Sequence, residues 1–414
     1  MPDPVRRRLL LAAGLMPLIP AARVAGRRVV VVGGGWGGLA AAAELRRLAP
    51  GLDVLLIDRE PAFLSFAGSN RWLVDHGAAP VPRAADYATL AARRGYRFVQ
   101  AEVVGIDRAA RRVLTAGGEY PYDWLVLAPG IREDWSAWQV DDPVAVDRLR
   151  TRFSGAFARA ADLAGLKRRL QAFAGGNLVM TLPPMPYRCP PAPYERALLI
   201  AWWLKTRKIP GRLVVVDPNP LMPAFRGALL ERFRDQVTYL DHARVRAVDP
   251  ERRVLSTDVD DIDFAEALLC PPQRAGGPLA AAGLLRPGPD GGPGEGWAAQ
   301  GALDFRSAAD PAVFVIGDAA GIVSPQFGHY PKTGHVAARM GELVARQIAG
   351  LAADGLPDSV CHLLSGVEPD ETTRIEVGYR LRADGFLLQT VNQRRAPYAG
   401  EDAAWAAAHY AAFL

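Results

Sequence analysis

Between Arg28 and Asp58 the sequence reads RVVVVGGGWGGLAAAAELRRLAPGLDVLLID. No other stretch limits the fold so tightly. Arg28–Val32 is a β-branched run too short for a helix, so it reads as a buried parallel strand. Gly33, Gly35 and Gly38 then satisfy G-x-G-x-x-G. The first glycine permits the tight turn, the second lets backbone approach a pyrophosphate, and the third lets the next helix pack on the strand. Leu39–Ala49 is an alanine-rich helix former whose start offers free N–H groups and a positive dipole end. A second strand, Asp53–Ile57, ends in Asp58, placed to accept hydrogen bonds from a ribose. Gly37 and Arg59 flank these positions and are assigned to the same site. Trp36 is expected to point away from the phosphates and to cover an apolar neighbour. The fold class that follows is α/β, built on a dinucleotide-binding domain.

Two later segments have the same character. Tyr122–Leu127 is a strand followed by Ala128, Pro129 and Gly130. Val313–Ile316 is a buried strand followed by Gly317 and Asp318. Mid-chain, Asn177–Leu182 is the strand of a second strand–turn–helix unit, with a helix from Arg196 and a strand Leu213–Val216 ending in Asp217. Its turn, Pro183 to Glu195, holds no glycine. Prolines lack the N–H donors that a phosphate needs. The second shell therefore persists without a phosphate site, which argues against a nicotinamide-dependent enzyme.

At 414 residues the chain has room for two or three domains. The formal charge of +5 is concentrated at the front, where Arg6, Arg7, Arg8 and Arg23 face only Asp3. A body without basic runs is not a nucleic-acid binder. Three scattered cysteines exclude a disulfide scaffold, and no histidine spacing suits a metal. Residues 1–26 have the layout of an export signal: arginines, an apolar run from Leu9 to Ile19, then small residues. The Arg-Arg-Arg-Leu-Leu string is similar to a twin-arginine signal, so a periplasmic location is expected. The apolar run is too short to span a bilayer.

The strand–Ala-Pro-Gly and strand–Gly-Asp-Ala patterns resemble two-dinucleotide-domain flavoproteins. That resemblance assigns the first fold to FAD, with Asp318 on the ribitol. The proline loop PPMPYRCPPAPYERA (Pro183–Ala197) and the Pro271–Gly276 segment resemble the flavoprotein subunit of flavocytochrome c sulfide dehydrogenase. Pro331-Lys332-Thr333-Gly334 is similar to the helix start beside the flavin in sulfide:quinone oxidoreductases. The resemblance implies a FAD domain with an inserted NAD-like domain, both Rossmann-like, and a small C-terminal α+β domain. The divisions are 27–134 and 277–349 for the FAD domain, 135–276 for the insert, and 350–414 for a C-terminal flavin-binding or interface domain.

In the family, sulfide attacks a redox disulfide beside the flavin. One of its cysteines carries over to Cys189. The other is expected directly after Gly-Asp-Ala, where Ala320 stands, so the partner is read as absent. The stretch Leu64–Asn70, which carries a flavin-tethering cysteine in relatives, has none here, so FAD is expected to be non-covalent. Arg188 and the following helix are expected to favour the Cys189 thiolate. Cys270 is a speculative partner, and Cys361 reads as a structural residue in a linker. Glu195 is the proton acceptor suggested near Cys189. Lys332, Thr333 and Gly334 are placed at the flavin edge, where a helix dipole stabilises reduced flavin.

The implied function is oxidation of sulfide or a related small sulfur compound. Electrons would pass from FAD to a c-type cytochrome subunit or a quinone, because no C-x-x-C-H haem motif occurs in this sequence. The alternatives are an oxidoreductase with a non-sulfide donor and a non-catalytic FAD-binding subunit.

Overall fold

The computed structural model describes residues 26–77, 82–290, 292, 294–353 and 355–414. The expected export signal lies outside them. The first strand, β1 (Arg28–Val32), is buried from Val29 onward. It lies at the centre of a six-stranded sheet, pairing in parallel with β2 (Asp53–Asp58) on one side and β4 (Trp124–Leu127) on the other. β3 (Arg97–Gln100) extends the sheet beyond β2. β12 (Asp310–Val315) pairs in parallel with β4, and the short β11 (Arg306–Ser307) closes that edge antiparallel. Such strands, apolar on both faces, require cover on both sides. One cover is α1 (Trp36–Leu48), which packs closely against α4 (Gly334–Ile348).

Two short strands carry the chain between domains. β5 (Ile131–Glu133) leaves the first sheet, and β10 (Gln273–Ala275) pairs antiparallel with it on return. Between them lies a second parallel sheet of β6 (Gly176–Thr181), β7 (Gly211–Asp217), β8 (Val237–Asp241) and β9 (Glu266–Leu268), in the order β8-β7-β6-β9. Helix α3 (Ala192–Thr206) connects β6 to β7 and is buried along most of its length. The architecture is α/β with two Rossmann-like sheets.

The C-terminal segment folds as an antiparallel sheet of β13 (Ser359–Gly366), β14 (Glu371–Leu381) and β15 (Leu387–Pro397), followed by α5 (Glu401–Phe413). Cys361 is thus a strand residue paired with Ile375, not part of a linker. Its side chain packs on the core of the inserted domain.

Helix α5 lies across the first domain. Trp36 stacks on Trp405 with ring centroids 6.0 Å apart and meets Tyr410 and Phe413 at 5.4 and 5.3 Å. Trp36 does cover apolar neighbours, as its place in the turn suggested. His335 is buried in the same cluster, 5.1 Å from the Trp405 ring. Burial, and then the nearby His409, lower its pKa to about 3. The unfolded chain, with an ordinary histidine near 6.5, takes up a proton between these values that the folded chain refuses. Stability therefore falls as pH drops from about 6.5 toward 3. The melting temperature at pH 5 is expected to lie at least about 2 °C below that at pH 7, and His335→Phe to shrink the difference. An equal difference in the variant would refute the assignment.

Candidate active site

The glycine turn has the geometry its spacing implies. A Cβ on Gly38 would lie 1.8 Å from the Gly33 carbonyl oxygen, so only glycine fits at this helix–strand contact. Gly35 is the N-cap of α1 and faces open space. No side chain caps the helix, so its first N–H groups remain available to an anion. Asp58 closes the second strand as expected. Its Oδ2 accepts the Gly34 N–H at 2.6 Å and its Oδ1 accepts the Glu60 N–H at 2.8 Å. Burial, opposed by these bonds, raises its pKa. Tyr87 adds a brace absent from the sequence reading, its hydroxyl donating to the Gly34 carbonyl at 2.7 Å. The Arg59 side chain points to solvent beside Glu60.

Ala128, Pro129 and Gly130 follow β4 and lie beside the turn, with the Ala128 carbonyl against Gly33. Gly130 accepts the Gly276 N–H at 3.0 Å, linking the two crossing segments. Gly317 and Asp318 follow β12. Asp318 is buried, and its Oδ1 has no hydrogen-bond partner. An orphaned buried acceptor is costly unless a ligand satisfies it. With the open, uncapped turn at Gly35, this fits FAD: phosphates at the α1 N-terminus and a ribitol hydroxyl on Asp318.

Arg188 departs from expectation. Its guanidinium does not turn to the neighbouring thiol. Nε donates to Asp318 Oδ2 at 2.6 Å, and Nη1 donates to the Ala158 carbonyl at 2.9 Å. The absence of a Cβ at Gly130 leaves room for its other Nη. The proline loop is therefore fastened to the flavin-side aspartate. A second fastening is direct: the Cys189 N–H donates to the Lys332 carbonyl at 2.8 Å. Cys189 has a positive φ of 50°, a conformation that non-glycine residues seldom hold without a tertiary reason.

Lys332, Thr333 and Gly334 form the start of α4, with Thr333 as N-cap. The Lys332 ammonium is buried and donates to the Asp318 and Ala320 carbonyls, both at 2.8 Å. It also lies 3.6 Å from the centre of the Trp297 ring. Burial, opposed by Asp318, lowers its pKa to about 7. These contacts give the side chain an anchoring role under the flavin-edge helix rather than a free catalytic ammonium.

The thiols are arranged differently from the sequence expectation. Burial raises the Cys189 pKa to about 12, and the next influences are Cys361 and then Glu195. The expected thiolate stabilisation by Arg188 is thus outweighed by burial and by neighbouring negative groups. Cys361 is raised to about 12 by burial and by the same Glu195. Cys189, Cys361 and Glu195 thus influence one another's titration, and the first turn of α3 meets β13 directly at the bond between Glu195 and the Leu364 N–H. All three cysteines are free thiols. Cys270 sits in a different setting. It is buried against Gly155, its N–H bound to Thr181 Oγ1, and among charged groups it senses Arg196 and Glu133.

Glu195 is half-buried, and desolvation raises its pKa. Its Oε1 accepts the Leu364 N–H at 2.7 Å and its Oε2 accepts from Asn70 Nδ2 at 2.6 Å. Asn70 belongs to α2 (Ser69–Leu73). Among the described residues no group of histidine, cysteine and acidic side chains is arranged to hold a metal. Nor is any helix there long and apolar enough to cross a membrane.

Residues 27–138 match the pyridine nucleotide-disulphide oxidoreductase family. Residues 164–269 match the central region of the sulfide dehydrogenase [flavocytochrome c] flavoprotein chain. The fold is shared with many solved structures. The sulfide:quinone oxidoreductase of the hyperthermophilic bacterium Aquifex aeolicus is 19% identical, with 89% of this chain and 87% of that one covered and a TM-score of 0.66. Reduced Bacillus anthracis CoADR-RHD is also 19% identical, covering 94% and 74%, with a TM-score of 0.59. An NAD-dependent persulfide reductase from A. fulgidus is 16% identical, covering 94% and 77%, with a TM-score of 0.61. The fold, the fitted cofactor site and the two family matches place the chain among the flavin-dependent oxidoreductases. Within that class its central region is similar to the sulfide dehydrogenase flavoprotein chain.

Proposed function

We propose that this protein oxidises sulfide or a related small sulfur compound at a Cys189–Cys361 redox pair. Electrons then leave through non-covalently bound FAD to a c-type cytochrome or a quinone. The observation that carries the reading is that the Cys189 N–H bonds to the Lys332 carbonyl at the start of α4 while nearby Glu195 bonds to the Leu364 N–H of β13, the strand that carries Cys361. The arginine-rich leader is consistent with export to the periplasm.

In the oxidised site the two sulfurs form a disulfide. Hydrogen sulfide gives a proton to the Glu195 carboxylate, and the hydrosulfide so formed attacks one of the two sulfurs. The S–S bond breaks, a persulfide forms on the attacked cysteine, and the other sulfur leaves as thiolate. Glu195 returns its proton to that thiolate. The balance is one hydrogen sulfide and one disulfide giving one persulfide and one thiol. The desolvation that raises both thiol pKa values favours this return of the proton. A second hydrosulfide takes the outer sulfur of the persulfide as hydrogen disulfide, leaving two thiols, and FAD, when bound, would supply the two-electron oxidant that returns them to the disulfide. Arg188 and Lys332 hold the sulfur loop and the flavin-side aspartate in a fixed relation.

The test is anaerobic titration of the purified protein with sulfide, following the flavin bands. Bleaching by stoichiometric sulfide is expected. A flavin that stays oxidised would refute sulfide oxidation and favour a different donor or a non-catalytic subunit.

The reading also holds that NAD(P)H is not the donor, and the hydrogen bonds that engage the end of β7 and the glycine-free loop support it. Asp217, at the end of β7, accepts hydrogen bonds from the Tyr194 and Tyr239 hydroxyls at 2.8 and 2.6 Å, and from the backbone and side chain of Asn219. Asn219 in turn holds the proline loop through the Pro183 carbonyl and the Met185 N–H. Millimolar NADH or NADPH is expected neither to bleach the flavin nor to raise the melting temperature. A concentration-dependent rise would show an open site.

A further inference from the structure

The Glu195 carboxylate lies in a surround that does more than bury it. Asn70 Nδ2 donates to Glu195 Oε2 at 2.6 Å, and Asn70 Oδ1 accepts from Arg196 Nε at 2.8 Å. The same Nδ2 donates to the Ala192 carbonyl at 3.0 Å, which fixes the orientation of the amide. Arg196 is fully buried, yet among the described residues no carboxylate pairs with its guanidinium. It rests 3.8 Å from the centre of the Phe157 ring and donates through Nη1 to the Gly155 carbonyl. A buried, unpaired guanidinium is expensive and calls for a distant counter-charge. Glu195 and the Cys189 thiol are the negative groups it senses in this site, together with Cys270.

We infer that Asn70, with Arg196 behind it, is a positioning pair that keeps Glu195 an ionised proton acceptor beside the two sulfurs. The inference rests on the reading of Cys189 and Cys361 as the reacting sulfurs. The surrounding groups show why such a device is needed. Cys189 approaches Glu195 from the proline loop, Cys361 from β13, and Asp402 from α5, all bearing or developing negative charge. Against them stand the Leu364 N–H from β13 and, from α2, Arg71 and the Asn70 amide, while Arg196 on α3 in turn senses the Glu195 charge. Arg71 is engaged elsewhere, by the Tyr398 hydroxyl and Asp402. Among the described residues the amide of Asn70 therefore supplies the one side-chain donor to Glu195, and its carbonyl passes on the influence of the Arg196 charge. Neither residue touches the reacting atoms. Both act through Glu195.

The test uses the flavin-loaded full chain and two measurements. The first is the infrared carboxylic-acid band of Glu195 across pH, identified by its loss in Glu195→Gln. The second is the acid limb of sulfide-driven flavin bleaching. Asn70→Leu removes the donor at near-constant volume, and Arg196→Met removes the charge. Each is expected to raise both midpoints by about one pH unit, a tenfold loss of rate on the acid side. Arg196→Lys is expected to restore most of the shift. A role limited to packing would lower the melting temperature and leave the midpoints in place, which would overturn the inference. Where sulfide fails to bleach the flavin even in the parent protein, the infrared midpoint alone decides. A shift there upholds the positioning pair while the sulfide reading falls, and no shift overturns the pair. Should Asn70→Leu fold poorly, Asn70→Asp, of equal size, brings a second carboxylate to Glu195 and is expected to raise the infrared midpoint further. An unmoved midpoint again overturns the pair.

Discussion

Cys189→Ser and Cys361→Ser are each expected to abolish sulfide-driven bleaching of the flavin, with a loss of at least about a thousandfold. A hydroxyl cannot form the disulfide that sulfide attacks, and losing either sulfur removes the couple as a whole. Cys270→Ser is expected to retain most of the rate, because that side chain is buried among Gly155 and Thr181 and is absent from the cluster. The three variants form one experiment, read by anaerobic absorbance with FAD content checked for each. A Cys361→Ser protein that bleaches normally would refute the pairing. If Cys270→Ser alone lost activity, Cys270 would become the partner instead.

That result turns on a residue that the sequence reading placed wrongly, and the reason is physical. The first strand, its glycine turn, α1 and Asp58 lie within about thirty residues, and local periodicity determines each of them. Gly38 and Trp36 could be given their roles because the turn has few alternative shapes. The insertion with a glycine-free turn was legible for the same reason. Cys361 is different. Its position follows from the docking of β13 on the inserted domain, a contact between segments some 170 residues apart in sequence. Counting from Gly-Asp-Ala led to Ala320 and to an absent partner, whereas the proposed pairing draws its second sulfur from another strand. Arg188 also shows the limit of adjacency. Next to Cys189 in sequence, it directs its charge to Asp318. The role of Asn70 was revealed by no spacing, because all three of its side-chain partners lie on α3.

The second large effect separates cofactor binding from folding. Gly35 has extended backbone angles that any residue accepts, and a Cβ there meets nothing within 4 Å. Gly35→Asp is therefore expected to fold. Aspartate is also a favoured N-cap, so it would accept the α1 N–H groups that the phosphates need and add negative charge beside them. The apo-protein is expected to melt at the same temperature or higher, while FAD affinity falls at least about a hundredfold. Gly38→Ala is expected to behave oppositely, losing the fold along with the flavin, because its Cβ would strike the Gly33 carbonyl. Fluorescence titration of apo-protein with FAD and thermal melts decide both. Unchanged FAD affinity in Gly35→Asp would show that the phosphates lie elsewhere.

Trp36 and α5 add a constraint on the order of events during synthesis. Residues 401–413 pack on a turn translated more than three hundred and fifty residues earlier. The glycine turn, β1 and β2 all leave the ribosome long before the helix that covers them. At the five to twenty residues per second typical of translation, that interval lasts tens of seconds. During it the aromatic face of Trp36 lacks its cover. The nascent protein thus passes through a period in which this ring stands exposed, and the arrival of α5 ends it.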